Sequence, residues 1–242
     1  MQKHKIITQA ATIVISLLLW TGCLKSSPSN IINELPFIIR YNTAENKYFF
    51  QSPVFVLYDP KIDDNTQIKD GTCGSGSFII EFDEYLQPGY YNAELINWNE
   101  IPTYPFTIEE KNTETQDSIT ELTNYTTIGG TLFFQIEQTA AKETEYSYAL
   151  NYNPLGEKKN NAFIFDLDVK NNKAQDTQDT TIQTEIQQRK ITFDITPFLQ
   201  TYGTQTDTLE IKISYYKGMQ NTIALFDTLT LTPFVIKASE NN

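Results

Sequence analysis

The chain has 242 residues, 40% of them hydrophobic and 20% charged, which supplies a packed core and excludes wholesale disorder. Thirty acidic side chains against 18 basic ones leave a net charge of −12, which argues against a nucleic-acid partner held through its phosphates. Aromatic residues reach 13% and threonine is abundant, a composition that leans toward strands.

Residues 1–22 read as a signal peptide rather than as part of the fold. Lys3 and Lys5 give a positive start, Ile13 to Trp20 a short apolar run, and Thr21-Gly22 two small residues. The apolar run falls well short of the ~20 residues a membrane span needs. Small residues directly before Cys23 resemble a bacterial lipobox, although Trp20 stands where that pattern usually has Leu. On this reading Cys23 becomes the lipidated first residue and the membrane is a partner through its acyl chain. Ordinary cleavage nearby, with Cys23 an incidental thiol, is the plainer alternative. Loss of the leader removes His4, the one histidine, and makes the charge balance two units more negative. Cys73 is then the remaining thiol, so no intramolecular disulfide forms and stability rests on core burial.

Residues 23–33 form a polar tether, and strands follow. Pro36–Tyr41, Tyr48–Phe50, Val54–Tyr58, Ser77–Phe82, Tyr90–Ile96 and Tyr104–Ile108 are short β-branched and aromatic runs bounded by Pro, Asn, Asp or Gly. Between two of them, Asp59 to Gly76 reads as a polar loop. These runs predict a small OB-like barrel over residues 34–110, and residues 111–128 read as a connector. Gly129-Gly130 opens a second block over residues 129–238. There Leu132, Phe134 and Ile136 share one face. Phe163, Phe165, Leu167 and Val169 alternate with polar neighbours, as do Ile191, Phe193 and Ile195, then Leu209, Ile211, Ile213 and Tyr215. Thr228–Ile236 ends the set, and Asn171–Gln188 reads as an exposed loop. Period two with one polar face predicts an antiparallel β-sandwich, and the whole chain is expected to be all-β with few, short helices.

The stretches Gln87-Pro88-Gly89-Tyr90-Tyr91-Asn92-Ala93-Glu94, Ile191-Thr192-Phe193-Asp194-Ile195-Thr196 and Leu209-Glu210-Ile211-Lys212-Ile213, behind a lipobox-like start, resemble the NigD-like lipoproteins of Bacteroidetes. That resemblance implies an N-terminal OB-type barrel and a C-terminal sandwich, and brings no established activity. It implies an outer-membrane-anchored envelope protein. Leu24-Lys25-Ser26-Ser27 lacks the acidic residues of surface export in that phylum, which leaves the periplasmic and surface faces both open. Asp117-Ser118-Ile119, Asp179-Thr180-Thr181, Asp207-Thr208-Leu209 and Asp227-Thr228-Leu229 resemble the phylum's O-glycosylation triplet, which a Thr-rich chain also produces by chance.

Chemistry is sparse. Without histidine, a Ser or Cys nucleophile has no usual base, and Cys73 in Thr72-Cys73-Gly74-Ser75-Gly76 reads as a small residue in a flexible turn. The glycines lack phosphate-loop spacing. Asp59, Asp63, Asp64, Asn65 and Asp70 share one loop but match no EF-hand register, so no metal site and no cofactor is expected. Asp166 and Asp168 share a face that alternation explains as solvated. Tyr90, Tyr91 and Trp98 beside Asn92, Asn97 and Asn99 are the candidate ligand-binding residues, suited to stacking and hydrogen bonding with a glycan; core or edge packing is the competing account. The expected role is binding or assembly with a glycan or an envelope protein. A fimbrial or adhesin subunit and a carboxylate-based glycan enzyme are the alternatives.

Overall fold

Period-two alternation builds strands throughout. The computed structural model describes residues 30–62, 68–109, 116–141, 144–155, 162–172, 184–203 and 208–235. The leader, Cys23, residues 24–29 of the tether, Asp63, Asp64, Asn65 and the Asp179 triplet lie outside the described residues.

Five strands close a barrel: β1 (Ile31–Asn42), β2 (Lys47–Gln51), β3 (Val56–Tyr58), β4 (Cys73–Gln87) and β5 (Tyr90–Glu100), in the order β1-β2-β3-β5-β4. Neighbours are antiparallel in the β1–β2, β2–β3 and β4–β5 pairs, whereas β3 and β5 run parallel. Long strands must bend to close so small a barrel, and the β4–β5 ladder slips register between Ser77 and Phe78 and again toward Tyr85. Inside, Phe37, Phe50 and Phe78 meet edge to face at 5.1–5.6 Å and are fully buried.

The second body is a sandwich of two sheets. One has the order β15-β14-β11-β10-β7 and the other β6-β12-β9-β8. Their ranges are β6 (Thr103–Tyr104), β7 (Phe106–Ile108), β8 (Glu121–Ile128), β9 (Thr131–Ala141), β10 (Tyr146–Tyr152), β11 (Phe163–Asn171), β12 (Thr184–Asp194), β14 (Ile211–Gln220) and β15 (Ile223–Thr230). A small pair, β13 (Thr208–Leu209) with β16 (Phe234–Val235), completes it. Leu132, Phe134, Ile136, Ile191 and Phe193 of one sheet share a core with Leu150, Phe165, Leu167, Ile211 and Ile213 of the other. The single described helix, α1 (Thr196–Tyr202), has proline in its first turn and lowers the fully buried Phe198 into that core.

The strand pattern departs from expectation at several points. Thr103–Ile108 does not close the barrel. The segment pairs with β12 through Thr103 and Tyr104, turns at Pro105, and pairs with β10 through Phe106 to Ile108. Glu121–Ile128, expected within a connector, is strand β8, and Gly129-Gly130 is the tight turn of the β8–β9 hairpin, with Gly129 at φ +58°. Cys73–Gly76, expected as a flexible turn, opens β4. The Asn171–Gln188 loop is shorter than expected, because β11 runs to Asn171 and β12 starts at Thr184. Thr228–Ile236 is not one strand: β15 ends at Thr230, ahead of Pro233, which has no N–H to donate. Most pairings are antiparallel, but β7–β10, β6–β12 and β11–β14 are parallel. One-sided alternation reads the same in either direction, so it does not carry that distinction.

Candidate functional site

The outer face of the barrel carries a groove of about 670 Å³. Register explains its lining. Arg40 lies opposite Phe49 across β1–β2, and Tyr58 lies opposite Asn92 across β3–β5. Gln51 lies opposite Val56, and Val56 opposite Tyr90. Side chains on these positions point away from the core that Phe50 and Leu57 fill. Phe49, on the outer side of the sheet but only 8% exposed, packs under Tyr58 at 5.7 Å and Tyr90 at 6.4 Å. Lys47 sits 4.7 Å over the Tyr58 ring, and Arg40 Nε donates to Gln51 Oε1 at 3.2 Å. Two cations beside Glu45 make the groove mildly positive on an acidic protein. The β1–β2 turn at one end uses Asn46 at φ +56°, and Gly89 at φ +84° makes the β4–β5 turn at the other.

The three sequence candidates do not form one platform. Tyr90 lines this groove. Tyr91 points to the barrel interior, edge to face with Phe55 at 5.6 Å and Phe82 at 5.4 Å. Trp98 also packs inward, 5.9 Å from Phe37. The reason is the β4–β5 slip: Ser77 pairs with Asn97 but Phe78 with Leu95, so Ile96 is an extra residue that reverses the alternation after it. Asn97 and Asn99 are turned outward, far along β5 from Asn92. Phe49, Tyr58, Arg40 and Lys47 were not among the candidates. Their signal was the run Tyr48-Phe49-Phe50, in which one aromatic must face away from a single-sided core.

The remaining candidates have structural work. Asp59 is buried and accepts from the Lys61 and Leu95 N–H groups at 2.9 and 2.8 Å, and Asp70 accepts from Tyr41 N–H at 2.9 Å. Among the described residues no three His, Cys, Asp or Glu converge on a metal position. Asp168 accepts from Asn151 Nδ2 at 2.5 Å and from the Gln116 amide. Cys73 is buried, and burial pushes its thiol pKa up, partly offset by the Thr103 and Thr192 hydroxyls; that is the environment of an inert thiol. Asp117 accepts from Asn171 N–H at 2.8 Å, while Ser118 and Thr228 are exposed.

No protein-family model matches the chain, and no curated protein does. Solved structures share its shape. An uncharacterised protein from Parabacteroides merdae superposes with a TM-score of 0.67 at 11% identity, covering 85% of this chain and 99% of its own. A candidate lipoprotein from Bacteroides fragilis gives 0.53 at 12%, covering 86% and 100%. A NigD-like immunity protein from Bacteroides caccae gives 0.48 at 10%, covering 81% and 90%, a likeness too slight to build on. The first two share the fold.

Proposed function

We propose that this chain is an exported lipoprotein, anchored through Cys23, that works by binding an extended saccharide in the outer groove of its barrel. The observation that carries the reading is the groove in which the Tyr90 ring, backed by Phe49 at 6.4 Å, stands beside Arg40, Lys47 and Gln51. Aromatic faces stack on the C–H faces of sugar rings, and amide and guanidinium donors take the hydroxyls. The face over the second and third strands is where barrels of this type commonly bind. The leader pattern supports anchoring, and the Bacteroides fragilis neighbour is itself described as a candidate lipoprotein.

The fimbrial alternative requires a first strand that can leave. Phe37, Ile38 and Ile39 of β1 are each at most 1% exposed, so its departure would open the core, which favours a closed binding module. Two experiments test the reading. Fatty-acid labelling should mark the wild-type protein and not Cys23→Ser; an unlabelled wild type overturns the anchoring. Titration with a panel of envelope and dietary oligosaccharides should find a binder whose affinity falls at least tenfold, about 1.4 kcal/mol, in Tyr90→Ala. Absence of any binder, or equal binding by the variant, overturns the groove.

A further inference from the structure

We propose a second binding site, separate from the groove, in the polar pocket between the barrel and the sandwich, which takes a single neutral sugar residue. The pocket encloses about 280 Å³ and shares no lining residue with the groove.

Its floor comes from the repeat Gly74-Ser75-Gly76-Ser77 at the start of β4. The glycines face inward because Phe37 and Trp98 occupy that side: a Cβ on Gly74 would meet the Phe37 ring at 2.7 Å, and one on Gly76 would meet Trp98 Cβ at 2.9 Å. Ser75 and Ser77 are thereby turned outward, opposite Asn99 and Asn97. Glu100 and Ile101 form one wall, and Glu34 and Lys190 stand across from them.

Three observations mark it as more than a surface dimple. First, the hydroxyls of Ser75, only 8% exposed, and of Ser77 share one small recess with the solvent-facing amides of Asn97 and Asn99 and the Glu100 carboxylate, so donors and acceptors from two strands are presented together to whatever enters it. Second, Glu34 holds a left-handed backbone, φ +52°, which favours glycine; a non-glycine residue kept there signals a constraint. Its carboxylate accepts from Lys190 Nζ at 2.9 Å, closing one side of the pocket with a contact between barrel and sandwich. Third, Lys190 Nζ lies 5.9 Å over the ring of Tyr125, whose buried hydroxyl lacks a partner among the described residues.

Charge and shape select the ligand class. Lys190 disfavours a cation, and Glu34 with Glu100 disfavours an anion. Among the described residues no aromatic lines the pocket, so a flat base has nothing to stack on there. Paired amides and hydroxyls, each able to donate and accept, match vicinal hydroxyls, with Ile101 left for a C–H face. The volume equals that of roughly nine waters at about 30 Å³ each, the space of one hexose ring with its hydroxyls.

The test is saturation-transfer NMR on the full-length protein, taken from membranes in detergent, with glucose, galactose, mannose and N-acetylglucosamine at about 10 mM, a range suited to millimolar binding. At least one should give transfer, and Asn97→Ala/Asn99→Ala should cut its affinity at least tenfold, while Tyr90→Ala should leave it unchanged. Both asparagines are exposed, so the double variant should keep the wild-type circular dichroism; Ser77→Ala gives an independent loss if it does not. Trp98, just behind the floor, should report the same sugar by a change in emission. No transfer from any of the four sugars, or transfer that survives both sets of substitutions, overturns the proposal. Transfer lost in Tyr90→Ala alone assigns the signal to the groove and overturns it as well.

Discussion

Gly76→Ala is the sharpest test of how the barrel is put together. A methyl group at this position would lie 2.6 Å from the Asn97 carbonyl oxygen, 2.9 Å from Trp98 Cβ and 3.2 Å from the Phe37 ring. Two of those neighbours belong to the β5 backbone or to an atom fixed to it, so a rotamer change does not relieve the contact. The strand pair must separate or the slip at Ser77/Phe78 must move. Overpacking of this kind costs about 1–3 kcal/mol. At about 2 kcal/mol the melting temperature of a chain this size should fall by about 4–8 °C. Thermal unfolding followed by circular dichroism measures it. Ser77→Ala, a neighbour facing the other way, is the control and should stay within about 0.5 kcal/mol of wild type. Emission should shift in parallel, because Trp98 is one of two tryptophans in the chain and the one that packs against Phe37 in the barrel. A Gly76→Ala protein with wild-type melting and wild-type emission would refute the inward placement of Trp98, and with it the explanation of the pocket floor.

Phe198 is fully buried and touches the rings of Tyr152, Phe163, Phe165 and Tyr202 at 4.7–5.1 Å, so Phe198→Ala should cost about 3–5 kcal/mol in urea denaturation. A loss below about 1 kcal/mol would mean that α1 does not anchor the sandwich core. The Glu34 carboxyl is held below its ordinary value by the hydrogen bond and the charge of Lys190. Its contribution is therefore present above the ordinary glutamate pKa and lost as pH falls through the lowered one, and an acid melting series should show that limb flattened in Lys190→Met; superimposable limbs refute it. Burial raises the pKa of Tyr125, Tyr148 and Tyr215, the last to about 12 with help from Asp227. Stability should be full below the ordinary tyrosine value of about 10 and fall as pH rises through the raised ones, with these phenols ionising together with unfolding in an ultraviolet titration. Smooth ionisation of every tyrosine near the ordinary value, with the fold intact, refutes it.

Much of the fold was legible because burial on one side of a strand writes itself into alternation. Phe163 to Val169 and Ile191 to Ile195 face the core as that pattern requires. The same rule overlooked β10. Tyr148, Leu150 and Tyr152 alternate correctly there, but Ser147, Ala149 and Asn151 between them give weak contrast. Alternation also assigns no partner, so Thr103–Ile108 was grouped with the barrel it follows in sequence rather than with the sheets it joins. The candidate ligand-binding residues fared worse for a sharper reason. Tyr90 and Trp98 are eight positions apart and should share a face; one extra residue at Ile96 puts them on opposite sides of the sheet. Bulges leave no compositional mark, so a cluster that looked single in sequence divides between an outer groove and an interior core.

The junction that frames the second pocket is held by backbone hydrogen bonds to both bodies. Ile101 N–H donates to the Cys73 carbonyl in the barrel at 2.9 Å. One residue on, the Pro102 carbonyl accepts from Thr192 N–H at 3.0 Å, and the Pro105 carbonyl accepts from Leu150 N–H at 3.1 Å. Five residues thus link the barrel to each sheet of the sandwich in turn. Beneath them Ile38, Cys73, Ile101, Ile128 and Phe133, none more than 3% exposed, make an apolar seam from both bodies. Rotating one body against the other would break backbone hydrogen bonds and wet that seam together, so the pocket walls are fixed before a ligand arrives. Preorganisation lowers the entropy lost on binding, which is how a small, mostly polar pocket can hold one sugar ring without an aromatic to stack on. The groove has no such brace. It lies on the barrel alone, with Lys47 and Leu86 as adjustable rims, and suits a longer chain held by several weaker contacts.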